Sequence, residues 1–360
     1  MIRVLVVDDS AVVQQHLTHI LQSDPDIHVI ATASDGQQAI DLVARKKPDV
    51  ITMDIIMPRM GGYEAALRIM ETRPTPIVVV SQSYDPHEAR ETFLATEAGA
   101  VAILAKPVGK NHPRYEEMAK ELVDTVKLMS EVKVLTRRPS PRRKEAICGV
   151  LRDATKRPSI EVVAIGASTG GPQVLQTILS QLPEESRVPI LIVQHIAPGF
   201  TRGLVDWLNT SSAVPISLAA HRERFTAGYA YLAPQELQMG VNNHCKIVLS
   251  EEPREHGHRP SVSYLFRSVA DTFGHHAVGV LLTGMGKDGA RELKLMREKG
   301  AVTIVQDRET CVVDGMPGEA IGLGAAGHEL SPDEIVSFLS RLVSKGRTPE
   351  GDSQPANLIA

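Results

Sequence analysis

A β-branched run that empties into glycine leaves a chain few choices, and here Val162-Val163-Ala164-Ile165 leads into Gly166-Ala167-Ser168-Thr169-Gly170-Gly171 and then Pro172. Short apolar runs of this kind suit a buried strand of a parallel sheet. The glycines supply a tight turn, and proline is tolerated in a first helical turn because the N–H it lacks would have no partner there. The segment therefore predicts strand, turn and helix, with Ser168 at the junction. A hydroxyl at the carboxyl edge of a sheet, beside helix-end N–H groups, is placed for nucleophilic attack with a stabilised oxyanion. Gly166-x-Ser168-x-Gly170 also satisfies the nucleophile-elbow pattern. The same turn would suit a cradle for nucleotide phosphates, so both chemistries stand at this point.

The 360 residues give room for two domains with real cores. A hydrophobic content of 42% and a formal net charge of −4 fit a soluble globular protein and argue against a general polyanion binder. Cys148, Cys245 and Cys311 are odd in number, far apart and without a CxxC pair, so neither a disulfide framework nor a zinc site is indicated. The apolar run Val4 to Val7 stops at Asp8-Asp9, too short for a signal peptide, and no stretch approaches a membrane span. A cytoplasmic protein without membrane insertion is expected.

Residues 1–130 alternate strand-like and helix-like segments. Ile2 to Val7, His28 to Ala33, Val50 to Met53, Ile77 to Val80 and Val101 to Ala105 are short and rich in valine and isoleucine. The predicted fold is α/β, a five-stranded doubly wound parallel sheet. Ligands bind such sheets at the carboxyl ends of the strands, and those ends carry Asp8, Asp9, Asp54, Ser81 and Lys106. Crowded carboxylates repel unless a cation joins them. A divalent, oxygen-seeking ion such as Mg²⁺ fits, and it would hold phosphoryl oxygens against one of the acids.

With Asp54-Ile-Ile-Met-Pro58 and Gly99-Ala-Val-Ala-Ile-Leu-Ala-Lys106-Pro107, this half resembles a two-component receiver domain with a flavodoxin-like sheet. The resemblance implies that Asp54 accepts a phosphoryl group, that Asp8 and Asp9 help it hold Mg²⁺, that Ser81 is the switch hydroxyl and that Lys106 contacts the phosphate. Two positions depart from the pattern. Ile103 stands where many receivers have an aromatic residue, and Ile56 replaces a polar one.

A helical segment from about Pro113 to Glu131 ends this half. Arg137-Arg-Pro-Ser-Pro-Arg-Arg-Lys144 follows, basic and broken by proline. Lacking interleaved aromatics, it is expected to be a solvated linker within residues 131–158 and not a nucleic-acid arm. Alternation then resumes. Pro189 to His195 and Ala277 to Thr283 predict two further strands, the second followed by Gly284-Met-Gly-Lys-Asp288-Gly289. Ser168, His195 and Asp288 all fall just past strand ends, so one parallel sheet would bring hydroxyl, imidazole and carboxylate to one rim. A serine needs a base of near-neutral pKa, and that base needs a carboxylate to fix its tautomer. Position alone leaves His256, His258, His275 and His276 as alternative bases.

Through Gly166 to Gly171, Gln194-His195 with Pro198-Gly-Phe200, His258-Arg-Pro-Ser261 with Leu265-Phe-Arg267, Leu282-Thr-Gly-Met-Gly286 with Asp288-Gly289, and Gly315-Met-Pro317 with Glu319-Ala320, residues 159–347 resemble the catalytic domain of chemotaxis protein-glutamate methylesterases. A second doubly wound, mostly parallel α/β domain is implied, with residues 348–360 a disordered tail. The resemblance implies Ser168 as nucleophile, His195 as base, Asp288 as its orienting acid and backbone N–H groups near Thr169 and Met285 as oxyanion donors. It further implies hydrolysis of glutamate methyl esters on chemoreceptor helices, deamidation of receptor glutamines, a histidine kinase as phosphodonor, an opposing methyltransferase and no cofactor for the esterase. In the family the unphosphorylated receiver covers the catalytic rim. Ser263 and Asp314 stand where relatives often have Asp and an aromatic, and neither is expected to touch the triad. The competing readings are a receiver fused to a nucleotide-binding module or to a non-catalytic interaction module. The first needs an acidic ribose ligand where this chain has His195.

Overall fold

A computed structural model of the chain describes residues 1–82, 86–132, 159–183 and 188–343. The core of the expected linker, from residue 133, and the expected tail at 348–360 lie outside the described residues. Five parallel strands, β1 (Ile2–Val7), β2 (Ile27–Ala33), β3 (Val50–Met53), β4 (Ile77–Ser81) and β5 (Ala102–Ala105), form an N-terminal sheet in the order β2-β1-β3-β4-β5. β1, β3 and β4 are buried along nearly their whole length, as strands covered by helices on both faces must be. The helices are α1 (Ala11–Leu21), α2 (Gly36–Lys46), α3 (Gly62–Thr72), α4 (Pro86–Glu97) and α5 (Tyr115–Ser130). Ser10 and Asp35 cap α1 and α2 by accepting from the N–H groups of Val13 and Gln38. All five expected strands form, displaced by no more than a residue at either end.

The C-terminal sheet has seven strands in the order β14-β13-β12-β6-β7-β9-β8, every pairing parallel. At its centre stand β12 (Ala277–Leu281), β6 (Val162–Ala167) and β7 (Ile190–Gln194), all fully buried. β13 (Val302–Gln306) and β14 (His328–Leu330) extend one side, β9 (Ala230–Leu232) and β8 (Ile216–Leu218) the other. β10 (Gln238–Val241) and β11 (Ile247–Ser250) make a separate antiparallel hairpin. The helices here are α6 (Gly171–Gln181), α7 (Thr201–Asn209), α8 (Val262–Phe273), α9 (Ala290–Glu298), α10 (Met316–Gly322) and α11 (Pro332–Val343). Pro172 stands in the first turn of α6, as expected.

The two units share apolar surface. Phe93 of α4 has no exposed surface and belongs to the cluster formed by β6, α6, β7 and α7 of the C-terminal unit. Its ring stacks on Trp207 at 5.4 Å and meets Phe200 edge-on at 6.5 Å. Glu97, at the end of α4, accepts from Trp207 Nε1 at 2.9 Å and from Gln176 Nε2 at 2.8 Å. Gln173 Nε2 donates to the Thr96 carbonyl. In return, Val313 of the C-terminal unit is buried with Leu104, Leu122 and Val126 of the N-terminal one. Among the described residues, no helix is long and apolar enough to cross a membrane.

Candidate active site

Parallel pairing of β6 with β12 and β7 brings their carboxyl ends to one rim, and the three expected residues lie there. Ser168 follows β6, where its N–H donates to the Thr283 carbonyl at 3.0 Å and its carbonyl accepts from Gly171 N at 2.8 Å. Gly170, with φ of +78°, makes the left-handed turn into α6 that a side chain would strain. A Cβ on Gly284 would lie 2.6 Å from Ser168 Cβ, so only glycine lets the two loops approach this closely. His195 follows β7 and its Nε2 lies 2.9 Å from Asp288 Oδ2. His195 Nδ1 is buried and has no hydrogen-bond partner.

Asp288, 1% exposed, is held from three further directions. Its Oδ1 accepts from Ser261 Oγ at 2.8 Å and Ser263 N at 3.0 Å, and its Oδ2 also accepts from Val262 N at 2.8 Å. The last two donors open α8, so the carboxylate sits at a helix N-terminus. Burial alone would raise the Asp288 carboxyl, but the bond and charge of His195 and the bonds from Ser263 outweigh it and hold the pKa well below the ordinary carboxylate range. Ser263 was not expected to touch the triad, and that expectation is corrected here. Its backbone N–H serves Asp288, while its Oγ donates to Glu292 at 2.6 Å and accepts from Gly289 N at 2.9 Å.

Sequence reasoning also gave no role to Ser261 and Gln194. Ser261 after Pro260 and before an apolar helical period was a legible N-cap, but nothing in the spacing tied it to Asp288. Gln194 Nε2 bridges the Ser168 and His195 carbonyls, at 2.8 Å each, and so ties the serine turn to the histidine loop. Of the alternative bases, His275 and His276 precede β12 and lie at the opposite rim. His256 is exposed. His258 stacks on His195, with ring centroids 3.8 Å apart.

Ser168, His195 and His258 line a cleft of about 380 Å³ together with Thr169, Met285 and Gly286. Its other wall comes from the N-terminal unit: Thr96, the β5 residues Ala102 to Leu104, and Glu121, Asp124 and Thr125 of α5. Ile103, at the position where many receivers have an aromatic residue, packs against apolar clusters of both units.

The second rim is that of the N-terminal sheet. Asp8 and Asp9 follow β1, Asp54 follows β3, Ser81 ends β4 and Lys106 follows β5. Lys106 Nζ lies 2.7 Å from Asp54 Oδ2 and 2.8 Å from Asp8 Oδ2. One ligand atom each from Asp8, Asp9 and Asp54 falls within 4.8 Å of the others. Burial raises the Asp54 carboxyl to about 6, with the Asp8 charge adding to it and Lys106 opposing. Burial works against the Lys106 ammonium, yet the two carboxylates raise its pKa above the ordinary value. Gly62 opens α3 directly against the Asp54 carbonyl, where a Cβ has no room. Ser81 is buried, and Ile56 is half exposed on the same rim.

Residues 163–339 match the family described as CheB methylesterase, and residues 4–114 match the response regulator receiver domain. The chain is 54% identical to a protein-glutamate methylesterase/protein-glutamine glutaminase of Geobacter metallireducens, covering 95% of this chain and 99% of that one. A protein of the same description from Nitrosospira multiformis is 52% identical over 98% of this chain and 100% of its own. Among solved structures, the CheB methylesterase catalytic domain of Thermotoga maritima aligns with 35% identity and a TM-score of 0.50, covering 52% of this chain and 100% of that one. The site of Ser168, His195 and Asp288 thus lies inside the span matched to the methylesterases, and the carboxylate rim inside the span matched to receivers: the chain belongs to the CheB methylesterase family and carries a response regulator receiver domain at its N-terminal side.

Proposed function

We propose that this chain removes methyl groups from glutamate γ-methyl esters on the cytoplasmic helices of chemoreceptors, and that it deamidates selected receptor glutamines by the same chemistry. The observation that carries the reading is the bond from His195 Nε2 to Asp288, which leaves Nδ1 without a partner on a ring that shares a cleft with Ser168. An ionised Asp288 keeps the imidazole proton on Nε2 and stabilises the imidazolium that forms. Nδ1 takes the Ser168 Oγ proton as Oγ adds to the ester carbonyl. The oxyanion faces the backbone N–H groups of Thr169 and Met285. Collapse breaks the bond to the methoxy oxygen, which leaves as methanol with the proton from Nδ1, and Ser168 is left acylated. Water then attacks that ester, again with His195 as base, and releases glutamate. With glutamine the group that leaves is ammonia.

The receiver half is the switch in this reading. Asp54 accepts a phosphoryl group from a histidine kinase, Lys106 contacts that group and Ser81 is the switch hydroxyl. Asp8, Asp9 and Asp54 suit Mg²⁺: they are three carboxylate oxygen donors within reach of one ion. When bound, that ion neutralises charge between the carboxylates and the phosphoryl oxygens. The esterase half needs no cofactor. A receptor methyltransferase would oppose the reaction, and the setting is the cytoplasm. We divide the chain into a receiver at 1–130, a linker at 131–158, a catalytic domain at 159–347 and a tail at 348–360. A serine-reactive phosphonate tests the core of this proposal: mass spectrometry should find it on Ser168, in step with loss of methanol release from methylated receptor. Labelling elsewhere, with activity kept, would refute it.

A further inference from the structure

We propose that His258 is a positioning residue for His195, its ring lying flat against the imidazole and holding it in the plane that joins Asp288 to Ser168. The inference rests on the reading of His195 as the base. The two ring planes are 9° apart with centroids 3.8 Å apart, closer and flatter than the stack of Phe93 on Trp207. One hydrogen bond, to Asp288, anchors the His195 ring, and Nδ1 has none. A single bond fixes a point and not a plane, so the ring could pivot about it and carry Nδ1 away from the serine. A flat neighbour removes that freedom.

His258 is itself well tied. Its N–H donates to the Glu255 carbonyl at 2.8 Å and its carbonyl accepts from Glu255 N at 3.1 Å. Glu255 pairs with Arg267 of α8, the helix whose N-terminus holds Asp288. The ring is also kept uncharged. Burial lowers its pKa to about 3, His195, His256 and Arg254 push the same way, and Asp288 alone opposes them. A neutral π face tolerates His195 in either protonation state, whereas a second cation would disfavour the imidazolium.

The test uses full-length protein activated by a phosphodonor, assayed for methanol release across pH, with ¹⁵N spectra of histidine-labelled protein to report the His195 tautomer. His258→Ala should lose about 10- to 100-fold in kcat with KM little changed, since misplacing the base by an ångström costs that order of rate. Its His195 should occupy both tautomers, where the wild type shows Nε2–H only. His258→Phe, which keeps the flat face, should restore most of the rate and the single tautomer. His258→Lys should be slower than His258→Ala, with its acid limb moved to lower pH, because a fixed cation lowers the pKa of the base. Wild-type kcat and a single tautomer in His258→Ala would overturn the proposal. So would His258→Phe as slow as His258→Ala, and this comparison with His258→Lys still decides if the alanine variant does not fold. His195→Ala, run alongside, separates the two readings: activity surviving its loss removes the base itself, while its loss beside a normal His258→Ala removes only the positioning role.

Discussion

Asp288 gathers the Ser261 hydroxyl, two helix-end N–H groups and the His195 imidazole around one buried carboxylate, so a change there acts on both catalysis and fold. Asp288→Asn should lower methanol release by about 10⁴-fold through the wrong tautomer, whereas Ser168→Ala and His195→Ala should each remove nearly all of it, because nucleophile and base act as a unit. The pH dependence has a clear sign. His258 is lowered from 6.5 to about 3 in the fold, so the stability it contributes is fully present above pH 6.5 and is lost as pH falls toward 3. His258→Phe should therefore flatten the acid slope of the catalytic unit's unfolding by up to about 1.4 kcal/mol per pH unit over that window, measured by denaturant titration. An unchanged slope would mean the imidazole already charges freely in the native state. At this scale the sequence was informative where chemistry follows a strand end: Ser168, His195, Asp288, Asp54 and Lys106 all sit there. It misled on Ser263, expected to stand clear of the triad, because a backbone N–H carries no side-chain signature, and it offered His258 only as an alternative base, because a ring contact across two loops leaves no mark in spacing.

Buried central strands are nearly continuous apolar runs, which is why β1, β3 and β4 of the N-terminal sheet and β6, β7 and β12 of the other were legible. The strands β8, β9 and β14 have three residues each, and the hairpin of β10 and β11 only four per strand. Runs that short show no dependable period, and their partners are chosen by tertiary packing. The element with the clearest mechanical consequence is α4. Phe93 belongs to the receiver's own helix, yet its ring fills the cluster around Trp207 and Phe200 in the other unit. Truncating a buried phenylalanine costs about 3 kcal/mol, more than the ~1.4 kcal/mol that shifts a docking equilibrium tenfold. Phe93→Ala should accordingly raise basal methylesterase activity at least about tenfold while the receiver still accepts phosphate from acetyl phosphate. Basal activity at the wild-type level, in a variant that folds and labels, would show that α4 packing does not restrain the enzyme.

Across the whole molecule, one cleft has walls from both units: Ser168, His195 and Met285 on one side, β5 and α5 residues on the other. The residues could place each wall, but their meeting came only from the family resemblance, since Phe93 and Val313 are apolar residues that would serve equally in their own cores. On the proposed function, a receptor helix would enter only once the receiver moves aside, and a phosphoryl group at Asp54 would have only to favour the separated state. It can do so by no more than its differential interaction with the two states. Residues 159–360 alone should then be faster than the unphosphorylated full chain and indifferent to phosphodonor. The most direct measurement is methanol release from methylated receptor by the full-length protein, before and after acetyl phosphate with Mg²⁺. We expect the rate to rise about tenfold or more, for the ~1.4 kcal/mol argued above, with no rise in Asp54→Asn and no turnover in Ser168→Ala under either condition. Equal rates before and after, in protein shown to be phosphorylated at Asp54, would contradict the account.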